Sequence, residues 1–249
     1  MERIGPKGNF DGIKLSGLQR SRIKRCTVAG WGGSAVDMVG CHDILVENST
    51  FTGRSGHSQN SGIQIKGGSS RIRVWGNAFT KAGDRAINMG GSTGLPYFRP
   101  ANANAEARDI DVAGNTFTGS EAPLAWVGSV DVHVHHNTIN HPKKWVGRIL
   151  QESTQPRFEQ VQNGVFAHNL IHYGPEIRTF FNVGPNTRPK TFTFAGNLWI
   201  KSPGARDPTT PTPETKRLVH SAKSTPSVSA THGPAAWNSA LPVHWEIRK

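Results

Sequence analysis

Between Gly62 and Asp84 the chain carries two short runs, Ile63-Gln64-Ile65 and Ile72-Arg73-Val74, each apolar at every second position. A period of two marks strands with one buried face. Glycine and serine separate the runs, Gly76-Asn77 follows the second, and Phe79 adds one more apolar anchor, so the stretch reads as three strands and three bends. Such a unit cannot bury its apolar side alone and has to stack on units like itself.

The chain supplies those units. Seven copies follow the pattern apolar-x-apolar-x-Gly, a gap, then apolar-x-apolar-x-x-Asn-x-apolar. Their first anchors are Ile13, Val36, Ile63, Ile87, Leu124, Ile149 and Phe180. In coil six the pattern places Ile149 and Gln151 inward, and in coil seven Phe180 and Asn182. Cys26 and Ser49 hold the asparagine slot in the first two copies, and Asn77, Asn115, Asn137, Asn169 and Asn197 hold it in the other five. The shorter steps between anchors are 23, 24 and 25 residues, a solenoid period without room for helices. Asparagine suits the slot because it tolerates a left-handed backbone and its amide can bond the next coil.

This pattern, over roughly residues 10 to 204, resembles the right-handed parallel β-helix of the pectate-lyase-like superfamily. The fold expected is therefore all-β, a right-handed parallel β-helix (a single-stranded β-solenoid) of about seven coils, spanning 1-204. Coils about 4.8 Å apart make a rod roughly 34 Å long. The lead before Ile13 is short for an N-terminal cap, which suggests sequence upstream. Residues 205-249, with DPTTPTPETK and AKSTPSVSATHGPAA, read as an extended C-terminal tail that Trp237, Val243 and Trp245 lay along the rod.

Lysine and arginine number 29 against 17 acidic residues, a net charge of +12 that points to an acidic partner. No run approaches the length of a membrane-spanning helix. Cys26 and Cys41, on different edges of the cross-section, are expected as free thiols.

Three insertions interrupt the period: Gly53 to Ser61, Ser92 to Arg108 and Glu152 to Gly164. Loops of this kind gather beside the binding face of a solenoid. Between them lies the first strand of each coil, whose outward positions read Lys14, Asp37, Gln64 with Lys66, Asn88, Ala125, Arg148 with Glu152, and Phe181. Arg85 and Arg178 sit at the bends before this strand in coils four and seven. A polar stripe weighted to cations suits a polyanionic chain laid across the coils. Gln151 and Asn182 would stack and bond each other in the interior. Histidines gather at His133, His135, His136, His141, His168 and His172, with no cysteine or carboxylate pair to complete a metal set. Asp37, Asp84 and Glu152 are the carboxylates near the stripe and form no obvious pair, which disfavours glycoside hydrolysis.

The resemblance implies a polysaccharide lyase or epimerase acting on a uronate-containing polymer, secreted or periplasmic, monomeric, with calcium as a possible cofactor. β-Elimination needs a cation on the carboxylate and a base for the adjacent proton. Lys66, Arg85 and Arg148 are the residues assigned to that chemistry, with Gln64, Asn88, Glu152 and Arg178 binding the substrate. The other readings are a non-catalytic glycan-binding or cell-surface module and, from charge alone, a nucleic-acid binder; no aromatic stacking platform or nucleic-acid motif supports the last.

Overall fold

A computed structural model describes residues 5–208. The expected path of the tail, including Trp237, Val243 and Trp245, lies outside the described residues. Coil one is β1 (Ile13–Ser16), β2 (Gln19–Lys24) and β3 (Thr27–Ala29); coil two is β4 (Ser34–Val39), β5 (His42–Glu47) and β6 (Thr50–Thr52). Coil three follows as β7 (Ser61–Lys66), β8 (Ser69–Trp75) and β9 (Ala78–Thr80), and coil four as β10 (Arg85–Gly90), β11 (Ala107–Ala113) and β12 (Thr116–Thr118). Coil five holds β13 (Leu124–Val127), β14 (Ser129–His135) and β15 (Thr138–Asn140), and coil six β16 (Gly147–Leu150), β17 (Gln162–Ala167) and β18 (Leu170–Tyr173). Coil seven is β19 (Phe181–Val183), β20 (Thr193–Ala195) and β21 (Leu198–Lys201).

The first, second and third strands of the coils form three parallel seven-stranded sheets, here A, B and C. Every strand pairs with its counterpart one coil away, so the inward residues run in continuous columns. In sheet C the column is Val28, Phe51, Phe79, Phe117, Ile139, Ile171 and Trp199. Its three phenylalanines stack at 5.0 Å between successive ring centroids, with planes 20° and 17° apart. Offset stacking of this kind adds about 0.5–1.5 kcal/mol per pair beyond burial.

The asparagine slot forms a ladder. Asn77, Asn115, Asn137 and Asn169 are buried; the Oδ1 of each of the last three accepts from the backbone N–H and the Nδ2 of the asparagine one coil earlier, at 2.9–3.0 Å. Ser49 and Asn197 extend the ladder at its two ends. The left-handed residue is not the asparagine but the one before it: Gly76, Gly114, His136, His168 and Gly196 have φ between 53° and 64°. Asparagine is thus selected for its amide, which closes backbone groups on its own coil and the one before it and bonds the next asparagine's side chain.

Two registers differ from the sequence expectation. Leu124 pairs with Gly147 and Trp126 with Ile149, so coil six starts two residues earlier than Ile149 implies. Gly147 in turn pairs with Phe181 and Arg148 with Asn182, a one-residue slip that turns Phe181 inward and Asn182 outward. Because side chains alternate, that slip exchanges the two faces. Phe181 is 2% exposed. Gln151 and Asn182 accordingly do not stack; Gln151 bonds Ser153, Glu159 and Val161 within its own insertion. The slip has a packing cause. A Cβ on Gly147 would lie 2.8 Å from the Phe181 ring and 3.0 Å from Trp126, so large rings fill the space that an apolar residue takes in the other coils. Cys26 and Cys41 are free thiols, as expected.

Candidate functional site

The outward row of sheet A is in register along the rod: Lys14, Asp37, Gln64, Asn88, Ala125, Arg148 and Asn182. Its floor is closed rather than solvated. Asp37 is 3% exposed, Gln64 9% and Asn88 6%. The Gln64 Oε1 accepts from the Asn88 Nδ2 at 3.0 Å and from the Ser61 hydroxyl at 3.1 Å, and its Nε2 donates to the Gly90 carbonyl. Asp37 is flanked by two lysines: Lys14 pairs with one carboxylate oxygen, and the Lys66 Nζ stands 3.7 Å from the other.

Four atoms of this face and its edge are buried with no hydrogen-bond partner among the described residues: Asp37 Oδ1, Asn88 Oδ1, Arg85 Nε and Arg148 Nε. Buried polar atoms are rarely left open, so their concentration here makes this face the candidate site.

Arg85 and Arg148 belong to one cluster at the edge where sheet C bends into sheet A. The Arg148 guanidinium lies 5.2 Å from the centre of the Trp145 ring. Burial, and then repulsion from Arg85, lower its affinity for the proton. Among the described residues, Arg85 meets one carboxylate, that of Asp84, at 4.0 Å. Burial and the Glu121 charge raise the Asp84 pKa against the pull of Arg85, Arg148 and Lys144; the side chain is 57% exposed, so solvent screens much of this. Asp84, but neither arginine, lines a neighbouring cavity of about 600 Å³ whose other charged residues are Arg54, Lys81, Lys143, Lys144 and Glu121.

The opposite edge of sheet A is walled by the two longer insertions. Glu106 has no exposed surface and joins them. Its carboxylate accepts from the Gly67 and Thr93 backbone N–H groups at 3.0 and 2.8 Å, and from the Thr93 and Ser153 hydroxyls at 2.7 Å each. Phe98 packs on Phe158 at 5.2 Å, and the Arg157 guanidinium stands 4.8 and 4.7 Å from those two rings. Arg99 crosses back over Gly17 and Gly40, extending this wall to the first coils.

Residues 8–143, more than half of the chain, match the family described as the right handed beta helix region. The chain belongs to the right-handed β-helix family. No curated protein matches it. Family membership accounts for the coil architecture of this β-helix protein, and its chemistry has to be read from the side chains.

Of the residues that the sequence of the β-helix singled out, Arg85 and Arg148 come together, and Gln64 and Asn88 bond each other on the floor beside them. Lys66 does not join them. It ends β7 at the opposite edge from Arg85, some five residues or about 16 Å along the strand direction, and its partner is Asp37. Glu152 is exposed in the third insertion, where its charge acts on Arg148, and Arg178 is exposed at the bend before β19. Among the histidines, the His135 Nε2 lies 2.8 Å from Asp111 on the outside of sheet B, and His136 and His168 stack across coils at 5.3 Å. No group of described residues has the makings of a metal site.

Sequence reasoning missed Glu106, Trp145 and the Asp84–Glu121 neighbourhood. Asp84 and Glu121 are 37 residues apart and meet only because one coil carries a long insertion. Glu106 offered a faint signal, an acidic residue just ahead of a strand in a chain poor in carboxylates.

Proposed function

We propose that this β-helix protein binds an acidic, uronate-containing polysaccharide across the outer face of sheet A and acts on it by β-elimination or epimerisation. The carrying observation is the Arg85–Arg148 pair, two guanidiniums with unsatisfied Nε atoms beside a floor of buried amides. A sugar carboxylate placed there would satisfy both and relieve their repulsion.

Both reactions begin by removing the proton on the carbon next to the uronate carboxylate. Arg85 is assigned the carboxylate, whose charge build-up it offsets. Arg148, whose proton affinity burial and Arg85 lower from the usual arginine range, is assigned the proton, as the resemblance implies. In elimination the electron pair then expels the glycosidic oxygen, leaving an unsaturated uronate; in epimerisation the proton returns on the other face. Lys66, held by Asp37 at the far edge, is a binding residue in this reading. A secreted or periplasmic setting suits such a substrate.

Incubation with hyaluronan, pectate and alginate, with and without calcium, tests this. The ultraviolet absorbance of unsaturated uronate should grow, or proton NMR should show inverted units. Arg148→Ala should lower turnover by about a hundredfold or more, while Lys66→Ala mainly weakens binding. Retention on an anionic glycan column with no product from any polymer would leave the non-catalytic glycan-binding module instead.

A further inference from the structure

At the start of sheet B, His42 on β5 and Ser70 on β8 are register partners one coil apart. The His42 Nδ1 stands 2.8 Å from the Ser70 Oγ, and the Arg71 Nη1 donates to the same oxygen at 3.0 Å. Asp43 holds that guanidinium from its other side, accepting from Nε at 2.7 Å and from Nη2 at 2.9 Å. A guanidinium carries five N–H donors, so one on Nη1 and one on Nη2 stay open beside Ser70. His42, Ser70 and Arg71 line a cavity of about 400 Å³ together with Pro100, Ala103 and Ala105 of the second insertion. The insertion is seated closely there: a Cβ on Gly68 would lie 2.7 Å from the Arg99 carbonyl oxygen and 2.9 Å from the Ala103 methyl.

We propose that Ser70 and His42 form a second catalytic site, separate from sheet A, that hydrolyses carboxylic esters with a short acyl group. A nucleophile and a base within hydrogen-bond reach are the signature of such chemistry. Arg71 can only donate, so the Ser70 oxygen accepts from it and turns its own proton toward the His42 Nδ1. The oxygen attacks the acyl carbon as Nδ1 takes the proton. The open N–H groups of Arg71 meet the charge that develops on the carbonyl oxygen. The imidazolium formed lies within the field of the Asp43 carboxylate. Collapse breaks the ester bond, and the alcohol leaves with the proton from His42. Water then adds to the acyl-serine by the same route, releasing the acid and restoring Ser70. Pro100, Ala103 and Ala105 offer the acyl group a small apolar wall.

Reaction of the full chain with a fluorophosphonate probe, read by intact mass and peptide mapping, tests this alongside hydrolysis of p-nitrophenyl acetate. One adduct per chain should form on Ser70, and the acetate ester should be cleaved faster than in buffer. Ser70→Ala should remove both signals, and His42→Gln should slow both by about a hundredfold or more. Arg71 is 56% exposed, so solvent screens its charge and Arg71→Gln should cost about tenfold. No adduct on Ser70, under conditions that label a serine protease completely, overturns the proposal. So does an absence of ester cleavage, or cleavage that persists in a Ser70→Ala protein that melts cooperatively. Labelling unchanged in His42→Gln overturns the assigned base and the site with it. If a variant does not fold, labelling and cleavage by the wild-type chain decide. Each of these results leaves the sheet A glycan site standing.

Discussion

Asn137 takes part in five side-chain hydrogen bonds. Its Oδ1 accepts twice from Asn115, and its Nδ2 donates to Val112, His135 and Asn169. Truncation to alanine leaves buried backbone groups on two coils without partners, at a cost of about 2–3 kcal/mol. Asn137→Ala should therefore lower Tm by about 4–12 °C, as measured by circular dichroism. Asn137→Ser should be milder, because Ser49 performs the same service for the Cys26 N–H at 3.1 Å. At this scale the sequence was readable where residues repeat. The asparagine slot recurs every coil, and so does its hydrogen bonding. Its conformational explanation was not readable, because the left-handed position falls on the residue before, where glycine, arginine, asparagine and histidine alternate.

Strands were legible where two apolar residues alternate with polar ones, which holds for the first strands of coils one to five. Coil six breaks the signal, since Gly147 occupies an inward position without any hydrophobic mark. The reason is local volume: Trp126 and Phe181 are too large to share that level with another side chain. Gly147→Ala should clash with both rings and destabilise the protein by about 1–3 kcal/mol, seen as a lower urea midpoint at an unchanged slope. An unchanged midpoint would mean that the rings move aside freely. The insertions were legible as insertions, but their conformation was not. They have no period, and their anchors, such as Glu106 to Ser153 and Phe98 to Phe158, join positions far apart in sequence.

On the scale of the whole molecule, one face differs from the other two. Sheets B and C carry exposed ion pairs, such as Arg71 with Asp43 at 2.7 Å, and a hydrogen-bonded ladder. Among the described residues, sheet A combines a closed polar floor, four unsatisfied donors and acceptors, and insertions along both edges. The charge of the chain pointed toward an acidic partner, and the solenoid period pointed toward the loop-flanked face. Which cations act together depended on the bend between sheets C and A, where Arg85 meets Arg148 and Lys66 does not. Hydrogen–deuterium exchange with and without a hyaluronan oligosaccharide tests this division of the surface directly. Protection should appear at residues 85–90 and 145–152 and leave 43–45, 71–73 and 131–133 on sheet B unchanged. Protection confined to sheet B, or none at any concentration that saturates binding, would contradict a glycan site on sheet A.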